Sequence, residues 1–173
     1  LMARSSYAGS GVYKSTDAGS TWQNMGLRDT HHVGRVVIHP EKADVVYVAA
    51  IGHLYSFNEE RGLFKTNDGG ATWKKILYVD EKTGVIDVQM HPLAPDTLLV
   101  ATYERKRDGF DTNDPAVKIG PGSGLHRTTD GGKTWRTDGA RGVHVDHHAL
   151  WINPKNSRHL LLGNDGGLHM SFD

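Results

Sequence analysis

The sequence has no cysteine, no excess of charge of either sign and no long apolar run, and each absence excludes a class of protein. Without cysteine no disulfide can form, and nothing indicates the redox compartment. Lysine plus arginine number 20, and aspartate plus glutamate also number 20. This balance argues against binding to nucleic acid or to a membrane surface, because both usually need a basic excess. Since no run of about 18 apolar residues exists, no transmembrane helix is expected.

Helical periodicity and a signal peptide are also missing. No segment shows apolar residues that repeat about every 3.6 positions, so we expect almost no helix. The first residues, LMARSSYAGSGVY, resemble the interior of a longer sequence, from which an upstream signal could have been removed. Glycine, in contrast, is frequent, with 21 residues, and predicts many turns between short strands.

A motif of eight residues occurs three times. It reads STDAGSTW at residues 15–22, TNDGGATW at 66–73 and TTDGGKTW at 128–135. A second marker recurs at nearly the same intervals: VVIHP ends at residue 40, VQMHP at residue 92 and LWINP at residue 154. Two independent markers that share one spacing indicate an internal repeat.

One unit of the repeat predicts four short strands, which we call A to D. In the second unit they cover residues 35–39, 45–50, 63–66 and 72–78. The runs are rich in β-branched or aromatic residues and are bounded by glycine, proline, aspartate or asparagine. Antiparallel four-stranded units repeated at this length predict an all-β fold, a β-propeller in which each unit is one blade.

The count of strands predicts a partial propeller in one domain, residues 1–173, with two complete and two incomplete blades. We place the blades at about residues 1–27, 28–79, 80–138 and 139–173. The first unit lacks strand A, with strand B at residues 1–7, and the fourth ends before strand D. A propeller protects its sheet edges by closing a ring. We therefore expect either a longer protein or self-association through the incomplete blades.

The repeated motif, Ser/Thr-x-Asp-Gly/Ala-Gly-x-Thr-Trp, resembles the Asp box, or bacterial neuraminidase repeat. This repeat occurs in sialidases, sortilin-type receptors, xyloglucanases and a photosystem assembly factor. The three copies match almost fully, and the one departure is Ala18, where the other copies have glycine. The resemblance implies a β-propeller, often secreted or periplasmic, with ligand and catalytic sites on the face formed by the D–A and B–C loops.

The motif itself is predicted to be structural. An aspartate followed two residues later by glycine suits a tight turn, in which the carboxylate accepts backbone N–H bonds and glycine takes positive φ. The tryptophan can bury its large ring between elements. One carboxylate per turn, with no second ligand, is weak metal chemistry. The structural residues of the motif are Asp17, Trp22, Asp68, Trp73, Asp130 and Trp135.

Most of the remaining polar residues are predicted to gather on the face opposite the motif. Because antiparallel strands alternate in direction, the D–A and B–C loops share one face, and binding residues concentrate in such loops. The B–C loops at 53–62 and 104–122 are long, which indicates function or disorder. The predicted ligand-binding residues are His31, His32, His53, Arg105, His144, His147 and His148. The histidines expected to pack turns at the other end are His39, His91 and His159.

The stretch HVDHHALW contains alternating polar residues. His144, Asp146 and His148 would point to one side of an extended backbone and form a metal or acid–base cluster. The alternative is a histidine–carboxylate network that satisfies the polar inner end of a blade. Because no spacing here is a specific metal-binding signature, the question of metal binding stays open, and no cofactor is predicted.

Carboxylates on the same face are candidate catalytic residues. Glycoside hydrolysis uses two carboxylates, one as acid and one as base or nucleophile. We assign Asp146 and Asp165 to this pair, with Glu104 in reserve. The run GNDGG at 163–167 resembles the Asp-x-Gly-Gly region that carries a catalytic aspartate in xyloglucanases. An ordinary turn role for Asp165 is the alternative.

Two functions from different classes remain open. The favoured one is a module that binds a glycan, a peptide or a protein through the D–A and B–C face. The alternative is part of a secreted glycoside hydrolase, xyloglucanase-like or sialidase-like. A sialidase mechanism is less favoured, because its three arginines and its Tyr–Glu pair are present only as fragments. The charge run ERKR at 104–107 is read as a solvated or phosphate-binding segment.

Overall fold

The computed structural model describes residues 7–107, 120–137, 144 and 147–172, with the backbone alone at residue 148. Within these residues every regular element is a strand, apart from the short 3-10 helix Arg28–Thr30. No helix in this part of the chain has the length and apolar character to cross a bilayer. The strands are β1 (Tyr13–Lys14), β2 (Gln23–Asn24), β3 (Val33–His39), β4 (Lys42–Ala50), β5 (Gly62–Thr66), β6 (Lys74–Leu77), β7 (Thr83–Met90), β8 (Leu98–Glu104), β9 (Gly124–Thr128), β10 (Arg136–Thr137), β11 (His147–Ile152), β12 (Leu160–Asn164) and β13 (Gly167–Ser171).

The strands form four antiparallel sheets, which we number blades 1 to 4. Blade 1 contains β1 and β2, blade 2 contains β3–β6, blade 3 contains β7–β10 and blade 4 contains β11–β13. In each sheet the strands are hydrogen-bonded in chain order. The predicted partial propeller, with two complete and two incomplete blades, is confirmed. Strand B of the first unit, predicted at residues 1–7, lies outside the described residues except for Tyr7, which is not in a strand.

The hydrophobic core lies between the blades. In β4, Tyr47 and Ala49 point into an apolar cluster shared with blade 3, whereas Val48 and Ala50 join a second cluster with Leu27. Alternate side chains of a strand project to opposite faces, so one continuous apolar run supplies two interfaces. A third cluster joins blades 3 and 4. Each buried aliphatic side chain contributes roughly 1.5–3 kcal/mol of burial free energy.

The first strands of blades 2, 3 and 4 each contain a register shift, at residues 33–35, 85–87 and 147–149, and β3 contains a second one at residues 38–39. In β7 the shift ends at Asp87, whose side chain is 2% exposed. Arg35 of blade 2 donates to its Oδ1 at 2.5 Å, and the backbone N–H of Leu150 in blade 4 donates to its Oδ2 at 2.9 Å. One buried carboxylate therefore connects three blades.

The repeated motif forms the C–D turns of blades 1, 2 and 3. In blade 2, Thr66 Oγ1 donates to Asp68 Oδ1 at 2.6 Å, and Thr72 donates its N–H and its hydroxyl to the two carboxylate oxygens. The turns at 15–22 and 128–135 repeat these bonds. Donation from Thr66 and Thr72 holds the pKa of Asp68 well below its usual range. In the first turn, donation from Thr21 lowers the pKa of Asp17 to about 2.

Where a preceding blade is described, the tryptophan of the turn donates a hydrogen bond to it. Trp73 donates its indole N–H to the Met25 carbonyl of blade 1 at 2.6 Å, and Trp135 donates to the Ile76 carbonyl of blade 2 at 2.7 Å. Trp22 instead donates to a carbonyl of its own turn at 3.0 Å, and it is 63% exposed. The expectation of a buried ring therefore does not hold for Trp22.

Candidate functional site

The loops that enter strand A and leave strand B form one surface, which we call the top face. It consists of residues 27–32, 51–61, 78–82, 105–107 and 165–166. Backbone hydrogen bonds between the described residues connect these loops: from Ile51 N to His32 O at 2.9 Å, from Asn58 N to Glu81 O at 3.2 Å and from Arg107 N to Leu54 O at 2.6 Å. Two more run from Arg105 N and Lys106 N to Lys82 O, at 2.9 and 3.2 Å. The described loops of the top face are therefore mutually supported.

Arg61 orders the long loop 51–61, although its position in the sequence suggested no role. The side chain is fully buried. Its Nη1 donates to Ile51 O at 2.5 Å, its Nη2 donates to the His53 and Ser56 carbonyls, and its Nε donates to Glu81 O at 2.9 Å. Burial lowers the pKa of Arg61 to about 10, so the guanidinium stays charged at neutral pH. Its planar fork of donors suits several carbonyls at once.

Two of the predicted ligand-binding histidines meet an aspartate on this face. The rings of His31 and His53 stack with their centroids 3.6 Å apart. His53 Nε2 contacts Asp29 O at 2.7 Å and lies 3.3 Å from Asp29 Oδ1. Burial, and then the neighbouring His53, lower the pKa of His31, so its imidazole is neutral at physiological pH. The structure thus brings His31, His53 and Asp29 together.

His32 takes a structural position beside this group. Its Nδ1 lies 3.0 Å from the Gly52 carbonyl, which connects the loop before β3 to the loop after β4. Its Nε2 is buried and has no hydrogen-bond partner within the described residues. The preceding residue, His31, has a φ of 54°. A positive φ is uncommon for a residue other than glycine.

The charge run at 104–107 differs from the solvated segment expected from the sequence. Arg105 and Arg107 are both buried. Arg107 donates to the Tyr103 hydroxyl and, at 2.9 Å, to the Glu104 carbonyl. Burial, and then the neighbouring Arg107, lower the pKa of Arg105. The solvated alternative is wrong because loop 51–61 packs against this segment through the bond from Arg107 N to Leu54 O. The phosphate-binding alternative stays a prediction.

The candidate catalytic carboxylates lie on different blades. Glu104 ends β8 and is partly buried, and Ser123 Oγ accepts its backbone N–H at 3.0 Å. Asp165 is exposed in the two-residue turn between β12 and β13. Both residues thus occupy the top-face end of the second strand of their blade. Asp146 lies outside the described residues, so the pair of Asp146 and Asp165 stays a prediction.

Blade 4 contributes the other predicted histidines. His144 lies against the Asp165 turn, and its carbonyl accepts from Asn164 Nδ2 at 3.0 Å. His147 is buried in β11 opposite Asn164. The backbone of β11 shifts register between residues 147 and 149. Asp146 lies outside the described residues, so the alternation of His144, Asp146 and His148 stays a prediction. The side chain of His148 lies outside the described part of the chain.

Three exposed aromatic rings on or beside the top face had no role in the sequence-based prediction. Tyr55 and Phe57 are each 53% exposed, and Tyr78 is 44% exposed. Lys106 Nζ lies 4.7 Å from the centre of the Phe57 ring, and Lys75 Nζ lies 4.3 Å from that of Tyr78. Tyr55 and Phe57 stand in the loop HLYSFNEERG, so aromatic residues in a long polar loop were the signal that could have found them.

Comparison with known proteins gives one family and one curated relative. The family model described as "Sortilin, neurotensin receptor 3" (Sortilin-Vps10) matches residues 10–160. A xyloglucanase of a Paenibacillus species is 23% identical over 175 residues, which cover 93% of this chain and 15% of the relative. The chain thus spans a small part of that protein.

Solved structures share the fold. An ancestral GH74 enzyme superposes with a TM-score of 0.69 at 22% identity, over 94% of this chain and 20% of the other. A GH74 enzyme from Niastella koreensis has a TM-score of 0.66 at 19% identity, over 89% and 22% of the two chains. YCF48 from Cyanidioschyzon merolae has a TM-score of 0.56 at 15% identity, over 88% and 40%. Because the family model matches most of its residues, the chain belongs to the Sortilin-Vps10 family of β-propellers.

Proposed function

We propose that this chain is a ligand-binding part of a β-propeller and that its ligand is a carbohydrate held on the top face. One observation carries the proposal: Tyr55, Phe57 and Tyr78 expose their rings on or beside loops that are hydrogen-bonded to one another. Exposed apolar surface rimmed by polar groups commonly marks a binding site. The rings are large and apolar, and they lose little conformational freedom when a ligand covers them.

A sugar ring suits this surface for a chemical reason. Its C–H faces are apolar and can lie on an aromatic ring, while its hydroxyl groups need polar partners at the edges. The top face supplies such partners beside the rings, in the ammonium groups of Lys75 and Lys106. The preformed loops also reduce the ordering cost of binding.

The names of the relatives narrow the class of carbohydrate. One is a xyloglucanase, which supports xyloglucan oligosaccharides as the first ligand to test. The family description includes a neurotensin receptor, so a peptide is the competing ligand. We favour the carbohydrate because the exposed rings of Tyr55, Phe57 and Tyr78 can support the flat apolar face of a sugar.

Isothermal titration of the chain with xyloglucan oligosaccharides tests the proposal. Saturable binding is expected, and Tyr55→Ala and Tyr78→Ala should each weaken it about tenfold, which corresponds to about 1.4 kcal/mol. Trp22→Ala is the matched control, since it removes an exposed aromatic ring from the opposite face. Absence of binding by the unchanged chain, or equal loss in the Trp22 variant, would contradict the proposal. Binding of neurotensin-like peptides instead would favour the competing ligand.

A second candidate function is glycoside hydrolysis. It is favoured by the exposed position of Asp165 at the top-face end of β12 and by the likeness to GH74 enzymes. Release of reducing ends from xyloglucan by the unchanged chain, lost in Asp165→Asn with the fold intact, would support it. If the chain binds but releases nothing, the binding function stands alone.

We further propose secretion or export to the periplasm, which fractionation of cells expressing the full reading frame would test.

A further inference from the structure

We propose a divalent metal site on the top face, formed by Asp29, His31 and His53, with zinc as the metal that fits best. One donor atom from each of these residues lies within 4.8 Å of the others. Two nitrogen donors and one carboxylate oxygen are a common zinc ligand set, and three protein ligands leave a fourth position for water or another ligand. The site is distinct from the aromatic rings proposed for carbohydrate and does not depend on that function.

The spacing of two donors already suits one ion. His53 Nε2 lies 3.3 Å from Asp29 Oδ1. Zinc bonds of about 2.0–2.2 Å at a tetrahedral angle put two ligand atoms roughly 3.3–3.6 Å apart. In the metal-free arrangement Nε2 also contacts Asp29 O at 2.7 Å. An ion would take the place of that hydrogen bond without a large movement of the ring.

Neighbouring side chains hold both of these donors in position. Asn58 Nδ2 donates to Asp29 Oδ2 at 3.0 Å, which turns the other carboxylate oxygen toward His53. Ser56 Oγ bonds the far ring nitrogen of His53 at 2.6 Å. Partners of this kind orient metal ligands, and Ser56 Oγ can accept the Nδ1 proton when Nε2 holds the ion. Because Asn58 is buried, this support does not depend on a mobile surface group.

His31 completes the site from the same loop as Asp29. It follows Asp29 by two residues, and its backbone φ of 54° is a strained conformation of the kind that collects at functional sites. Its ring lies flat on that of His53. Nitrogen lone pairs lie in the ring plane, so coordination requires the His31 ring to rotate out of the stack. Asp29 is 66% exposed, which leaves the ion a path from solvent.

Metal titration of the untagged full chain tests the site without any carbohydrate. Zinc should bind with a stoichiometry of one per chain, and cobalt should show visible absorption bands that zinc abolishes. His31→Asn, Asp29→Asn and His53→Gln should each weaken zinc binding by about tenfold or more. Asn is chosen at position 31 because it tolerates positive φ, and Asn at position 29 keeps an acceptor for Asn58.

His91→Gln is the control, since it removes a histidine at the opposite end of a blade. Its zinc affinity should match that of the unchanged chain. Circular dichroism of each variant separates loss of the site from loss of the fold, and the two asparagine variants provide independent tests if one does not fold. No saturable zinc binding, or full affinity retained in any of the three ligand variants, overturns the assignment.

Discussion

Arg35 of blade 2 and Asp87 of blade 3 approach within 2.5 Å, and the same carboxylate accepts the backbone N–H of Leu150 in blade 4. Asp87→Ala would leave that buried N–H without an acceptor and would remove the partner of Arg35. Since Arg35 is 44% exposed, most of the cost comes from the orphaned backbone group. We expect a loss of about 1–3 kcal/mol in the free energy of unfolding, measured with urea. Glu41→Gln, at an exposed turn, is the control, and an unchanged Asp87 variant would contradict this role.

The two kinds of tryptophan environment predict different costs for the same substitution. Trp73→Phe removes the indole donor to the Met25 carbonyl of the neighbouring blade, whereas Trp22→Phe removes a bond within an exposed turn. Trp73→Phe should lower the free energy of unfolding by about 1 kcal/mol, and Trp22→Phe by clearly less. Urea unfolding of both variants in one buffer compares them directly. Equal effects would show that the indole of Trp73 does not join the blades.

The repeated turns predict an acid-dependent loss of stability. The pKa of Asp68 is well below its usual range in the folded chain, and that of Asp17 is about 2, against 3.8 as the reference value. The unfolded chain therefore binds more protons in acid, so this stabilisation is complete above about pH 5 and falls as the pH drops through 3.8 toward 2.

Asp68→Asn should make the acid dependence shallower. The substitution removes one group whose pKa rises on unfolding, so the free energy of unfolding should change less between about pH 5 and pH 3 than in the unchanged chain. Asp130→Asn, at the same position of the next turn, should have the same effect. Urea titrations at several pH values provide the slopes. A slope as steep as that of the unchanged chain would contradict the hydrogen-bonded role of these carboxylates.

We also propose that the chain self-associates through an incomplete blade. In and next to β13, Leu168, Met170 and Phe172 are 67%, 60% and 64% exposed. Exposed apolar strands at a sheet edge favour pairing with another chain. Light scattering should show a mass that increases with concentration, and Leu168→Lys together with Met170→Lys should shift it toward the monomer. A stable monomer at high concentration would disprove this proposal.

The sequence was sufficient to predict the fold, because the strands recur with a repeated sequence pattern. The motif around Asp68 and the proline at residue 92 recur in step with equivalent residues, and that period specifies strand order and blade count. The turn carboxylates needed only local contacts, which spacing predicts well. Trp22 is the informative exception, because burial of its ring depends on a neighbouring blade and the motif alone does not contain that information.

The top face was predicted less completely, because its contacts are long-range. Spacing indicated which histidines share the face, but not that His31 and His53 stack on each other. Arg61 was given no role and Arg105 was predicted to bind ligand, yet both are buried where loops from neighbouring blades pack together. Single-residue propensity does not report such packing.

The central claim, that ligand binding belongs to the top face and the repeated turns are structural, is tested most directly by mapping with nuclear magnetic resonance. Backbone amide shifts of the isotope-labelled chain would be followed during titration with xyloglucan oligosaccharide. We expect saturable shifts in residues 51–61, 78–82 and 105–107 and unchanged positions in residues 15–22, 66–73 and 128–135. Shifts confined to the repeated turns, or none at saturating oligosaccharide, would contradict the account.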